Sequence, residues 1–187
     1  MKNQNTEKRK HLHTRSIQCR GYERDDGLWD IEATLIDNKT YSISNHERGE
    51  IQPGNSIHNM TVCLTLDLDM VIRDVHIEMP STPFSLCRST SDVMDRLVGL
   101  KIEGGWMRKA RKLIARTESC THVMELLGPV STTAYQTMHW AIEEREREQS
   151  SRDTPAIIDQ CKSLARGSAI VKVMWPEFHE DNPAVTE

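Results

Sequence analysis

The sequence predicts an α+β fold: an antiparallel sheet built from the N-terminal half and covered on one face by helices from the C-terminal half. Two changes of pattern predict it. Up to about residue 79 the apolar residues alternate, and from about residue 89 they recur at helical spacing. At 187 residues the chain is also long enough for one sizeable core and short for two large ones. One domain over residues 11–176 is expected, with 1–10 and 177–187 as flexible tails.

The first strand is expected in "GLWDIEATLID", where Trp29, Ile31, Ala33 and Leu35 point one way and Asp30, Glu32 and Thr34 the other. Asp37-Asn38-Lys39 reads as a turn, with "TYSIS" returning as its hairpin partner through Tyr41 and Ile43. After a loop carrying Gly49, Pro53 and Gly54, the run "HNMTVCLTLDLDMVIRDVHIEM" alternates twice. Val62, Leu64 and Leu66 share one face, Val71, Val75 and Ile77 another, and a turn falls near Asp67 to Asp69.

Helices follow. "STSDVMDRLVGL" predicts one with Ser89 as its cap, Asp92 in its first turn and Gly99 at its end. "GWMRKARKLIAR" puts Trp106, Ala110, Leu113 and Ile114 on one stripe, and its cations read as a solvated face. From Thr121 onward, Val123, Leu126, Leu127, Val130, Ala134, Met138 and Ala141 keep helical spacing, with a kink or short break expected at Gly128-Pro129. "EEREREQSSRD" reads as a charged helix end running into a linker, "AIIDQCKSLARG" as a short helix stopped by Gly167, and "AIVKVMWP" as an extended segment.

Hydrophobic residues at 37% and charged residues at 28% describe a soluble globular chain. No apolar run is long enough to span a bilayer and the opening residues hold no apolar signal region, so a cytoplasmic protein without membrane partners is expected. A net charge of -4 and the lack of a recognised module argue against nucleic acid. The five cysteines, at 19, 63, 87, 120 and 161, have no regular spacing. Without a secretory signal, thiolate or metal chemistry is a better reading for them than a disulfide framework.

"SCTHVMELL" carries the sharpest chemical signal. Residues two apart on a regular helix diverge, so Cys120 and His122 converge only if the cysteine stands at or before the first turn. There the helix dipole favours thiolate. Cys87 is expected in a similar place ahead of the Ser89 helix, with His58 and Cys161 as further partners. Three readings of Cys120-Thr121-His122 stay open: metal ligands, a nucleophile beside its base, or two ordinary residues at a helix start. Cys63 reads as a buried strand residue, Asp25-Asp26-Gly27 with Asp30 as turn chemistry beside Arg24, and His11 and His13 as part of a solvated tail.

The blocks "HTRSIQCRGYERDDGLWDIEATLID", "IHNMTVCLTLDLDMVIRDV", "LVGLKIEGGWMRKAR", "SCTHVMELLGPVSTTAYQT" and "IIDQCKSLARGS" resemble those of a bacterial family known as domain of unknown function 2889. The likeness runs from His11 to Pro176. It brings no established activity, and Asn59 stands where the family block more usually has aspartate. The order of strands, helix and Cys/His pair is also similar to the iron-sulfur cluster assembly scaffold family, where three cysteines and a histidine bind zinc or a nascent cluster. That second resemblance implies His58, Cys87, Cys120 and His122 as ligands, and two histidines with two cysteines suit zinc at least as well as a cluster. The expectation is therefore a metal-binding protein holding zinc or an iron-sulfur cluster. An enzyme using Cys120 as nucleophile or a zinc-bound water, and an interaction module without chemistry, are the alternatives; substrate and protein partner are left open.

Overall fold

A computed structural model describes residues 8–148, 154, 155 and 157–181. Most of the expected N-terminal tail, the linker at 149–153 and the last six residues lie outside the described residues. The chain forms two compact units, residues 1–142 and 143–187.

In the first unit the alternation seen in the sequence governs the sheet. Trp29–Lys39 (β2) buries Trp29, Ile31, Ala33 and Leu35 and half-exposes the residues between them. It pairs on one side with His13–Glu23 (β1) and on the other with Ser56–Leu66 (β5), which in turn pairs with Ile72–Ser81 (β6). All these pairings are antiparallel, in the order β1-β2-β5-β6. Strand β1 is an addition to the expected set. It is exposed along most of its length, so it shows little of the apolar alternation that marks a strand in sequence.

"TYSIS" does not return along β2. Ile43–Asn45 (β3) pairs instead with Gly49–Ile51 (β4) in a separate two-stranded sheet. Asp37 is no turn residue either: β2 continues to Lys39 and carries it past the expected corner. The turn at Asp67 is as expected, its Oδ1 accepting from the backbone N–H groups of Asp69 and Val71 at 2.9 Å. An irregularity of register between Thr65 and Leu66 makes Ile72 rather than Val71 the fully buried residue at the start of β6.

The Ser89 helix is two consecutive 3-10 helices, Ser85–Thr90 and Asp92–Leu97. The hydroxyls of Ser89, Thr90 and Ser91 each donate to the carbonyl three residues back, which suits the tighter winding and leaves Ser89 without a capping role. Trp106–Leu113 (α1) buries Trp106 and Ala110, with Ile114 buried just after it; Leu113 turns outward at 44% exposure. Thr121–Glu148 (α2) runs through Pro129 without a break. Its buried stripe of Val123, Leu126, Leu127, Val130, Ala134 and Met138 packs with the inward side chains of β2 and β5 in one core. That cluster removes enough apolar surface from water to outweigh one missing helix donor.

One contact sets how closely α2 approaches β1. A Cβ on Gly21 would collide with the side chain of Thr137. Gly21→Ala should therefore destabilise the protein by about 1–3 kcal/mol through overpacking. Thr137→Ala should recover most of that loss in urea denaturation; equal stability of Gly21→Ala and wild type would show that the helix has room to move.

In the second unit, the expected short helix reduces to one 3-10 turn, Lys162–Leu164. The segment expected to be extended is a helix, Ala169–Met174 (α3), capped by Ser168, whose Oγ accepts from the Val171 N–H at 3.2 Å. Three β-branched residues there gave a strand-like pattern, and the serine cap overrides it.

Candidate functional site

The inward face of the sheet is apolar along most of its length and then ends in a polar row. Register places Arg15 opposite Asp37 and Asp37 opposite His58, so three adjacent strands present Arg, Asp and His side by side. Asp37 continues the series Trp29, Ile31, Ala33, Leu35, which is why a carboxylate sits on the core face at 1% exposure. A buried carboxylate must be fully hydrogen-bonded or be protonated. Here it is bonded: Arg15 donates from Nε to Oδ1 and from Nη2 to Oδ2, both at 2.8 Å, in a two-pronged pair. His13 donates from Nε2 to Oδ1 at 3.1 Å and His58 from Nδ1 to Oδ2 at 3.0 Å. The expectation of His13 as part of a solvated tail is thus corrected, because β1 begins at that residue and pins it to Asp37.

The start of α2 covers this row. Cys120 immediately precedes the helix and its carbonyl accepts from the Met124 N–H at 3.0 Å, the position expected from the sequence. His122 stacks on His58, ring centroids 3.8 Å apart, with Nε2 3.9 Å from Asp37 Oδ2. Glu125, one turn on, accepts from Arg15 Nη1 at 2.7 Å. Asp37, His58 and His122 together offer one ligand atom each within 4.8 Å of one another.

Protonation follows from these contacts. Burial alone would raise the Asp37 carboxyl, but the Arg15 guanidinium, and after it His58, overcome this and hold its pKa down to about 2. Burial, reinforced by His122, lowers His58 against the pull of Asp37. Burial and the Arg15 charge lower His122. At neutral pH the set is one carboxylate and two neutral imidazoles, each the form that binds a cation.

The cysteines stand differently. Cys120 Sγ lies 3.8 Å from His122 Nδ1 and 4.0 Å from Met60 Sδ, buried beside the three-residue group without belonging to it. Cys87 sits half-buried within the first 3-10 helix, two residues past its start, where a cysteine ahead of a helix was expected. Cys161 is exposed in the second unit. All five cysteines are unpaired. Burial, then the carboxylates of Asp30, Glu32 and Asp74, push the Cys63 thiol up to about 12, so it stays protonated on the opposite face of the sheet. Asp26 accepts the Arg24 fork at 3.0 and 2.7 Å in a turn through Gly27, the structural role expected of that acidic run.

The sequence reading missed Asp37 and Arg15. Asp37 was legible as the fifth residue of an unbroken alternation, but Asp-Asn-Lys is also a turn signature, and that reading prevailed.

The fold and site define an α+β domain with an Asp/His cluster at the edge of its core. The family model for a protein of unknown function, DUF2889, matches residues 13–136, and the chain belongs to that family. The matched stretch holds every member of the cluster, from His13 to Glu125, and ends before the second unit. No curated protein and no solved structure matches the chain. Among the described residues no helix is long and apolar enough to cross a membrane.

Proposed function

We propose that this protein binds one divalent transition-metal ion, zinc by donor chemistry, through Asp37, His58 and His122. The observation that carries the reading is that these three residues each bring one ligand atom within 4.8 Å of the other two. Bonds of about 2.0–2.1 Å in a tetrahedron put neighbouring donors roughly 3.3 Å apart. The separations from Asp37 Oδ2 to His58 Nδ1 and His122 Nε2, 3.0 and 3.9 Å, straddle that value, and no two of the three ligand atoms are more than 4.8 Å apart. Two imidazoles and a carboxylate are the ligand class of catalytic zinc, which keeps a position for water, whereas an iron-sulfur cluster calls for a thiolate-rich set. Cys120 then supports His122 from outside, accepting the Nδ1–H when Nε2 faces the ion. Five unpaired cysteines suit a reducing compartment such as the cytoplasm.

A second reading has one observation in its favour. Cys120 Sγ, His122 and Asp37 follow the order of nucleophile, base and orienting acid, at 3.8 and 3.9 Å. Against it, the thiol is packed on Met60 and the residue is 9% exposed.

Elemental analysis and an absorption spectrum of protein purified without a histidine tag separate the readings. One zinc per chain is expected. A brown cluster spectrum, or metal-free protein that takes up no added zinc while Cys120 alkylates rapidly, would overturn it. Cys87→Ser should keep full zinc content, and Cys120→Ser should weaken binding by no more than about 10- to 100-fold, as loss of an outer partner does. Complete loss of the ion in both variants would instead favour the four-residue set His58, Cys87, Cys120 and His122.

A further inference from the structure

We propose that Arg15 and Glu125 are positioning residues that fix Asp37 as a one-oxygen ligand, so that the bound ion keeps a free coordination position. This rests on the metal-binding reading. Arg15 grips both carboxylate oxygens from the β1 side, and His13 adds a second donor on Oδ1. Each oxygen takes one arm of the Arg15 fork; the second donor of Oδ1 is His13, whereas the second position of Oδ2 faces His58 and His122, so that position is the one an ion held by the two imidazoles would claim. Glu125 holds the third arm of the same guanidinium, and it lies on α2 one turn beyond His122.

The contacts therefore close a ring: Asp37 to Arg15, Arg15 to Glu125, Glu125 along the helix to His122, and His122 back toward Asp37. Residues 110 positions apart in sequence set the angle at which a helix-borne imidazole meets a strand-borne carboxylate. A lysine in place of Arg15 would carry the charge and lose the fork.

The test uses the full chain loaded with cobalt(II), whose visible absorption bands weaken when the coordination number rises. Wild type should give strong bands at one ion per chain. Arg15→Met should give weak bands at one ion per chain, because Oδ1, left with only the partly exposed His13 as donor, can close on the ion together with Oδ2. Arg15→Lys should behave alike. The solvent-exposed change Glu125→Gln should weaken binding by about threefold in wild type and have no effect in the Arg15→Met background. A merely structural role would lower affinity and leave the band intensity per bound ion unchanged, and that result would overturn the proposal while metal binding stood. Wild type that takes up no cobalt would overturn both.

Discussion

His58→Ala and His122→Ala are each expected to abolish stoichiometric zinc binding, with an affinity loss beyond about 100-fold. The reason is one of number. Three protein donors are few for a tight site, and an ion left with two has no protein geometry to hold it. Outer-shell partners cost about 10- to 100-fold, so a lost ligand should exceed that range. Binding and folding are linked: zinc at 100 times its dissociation constant should stabilise wild type by about 2.7 kcal/mol. Either variant should gain nothing from the same addition. Both rings are partly exposed and lie beyond the apolar rows, so the metal-free variants should still unfold cooperatively. Calorimetry and thermal unfolding with and without zinc check this. Retention of the ion by both variants at wild-type affinity would remove the two histidines from the site.

The site was half legible in the sequence, and the half that was missed follows from how strands meet. Cys120 and His122 could be found because they are neighbours at a helix start, and their convergence depends on local geometry alone. His58 stood out as a histidine entering the Val62 strand, one of two further partners considered, and the resemblance in the order of blocks then chose it over Cys161. Arg15 and Asp37 needed strand register. Once β1 is paired with β2, Arg15 falls opposite Asp37, and His58 comes opposite from β5, but β1 is too exposed to show a period. The core was more legible. Trp29 to Leu35 and Val123 to Met138 were assigned to buried faces from periodicity, and those faces are buried. Where short segments failed, as at Ser89 and in α3, hydroxyl side chains bonding locally to backbone decided the winding against the broader pattern.

Placing a carboxylate on the core face has a cost that the Arg15 fork and the His13 and His58 donors offset. A cation in the same place would share Asp37 with Arg15, so the arrangement that stabilises the metal-free fold also sets how much of the carboxylate an ion can claim. The polar row is therefore a stability element and a binding element at once, and variants must be scored for both.

Asp37→Ala separates these roles by its effect on the metal-free protein, and a loss of about 2–4 kcal/mol is expected. The carboxylate receives the Arg15 fork and two imidazole donors in a nearly solvent-free position, and charge-assisted bonds of this kind are the strong ones. The lower part of the range applies if Arg15, one-third exposed and still bonded to Glu125, recovers water. The pH dependence gives an independent measure. With a folded pKa of about 2 against an ordinary 3.8, Asp37 contributes roughly 2 kcal/mol that is present above the ordinary value and lost as pH falls through 3.8 toward 2. His58 and His122 act earlier. Their folded values are lowered, so the folded state resists protons that the unfolded chain takes up, and stability declines as pH drops below about 6.5. Wild type should thus weaken in two acid stages, and in Asp37→Ala the lower one should shrink to what the other ion-paired carboxylates contribute. Urea titrations at a series of pH values between about 7 and 2 would show it. An unchanged lower stage in Asp37→Ala would mean that the ion-paired carboxylate is not what acid removes.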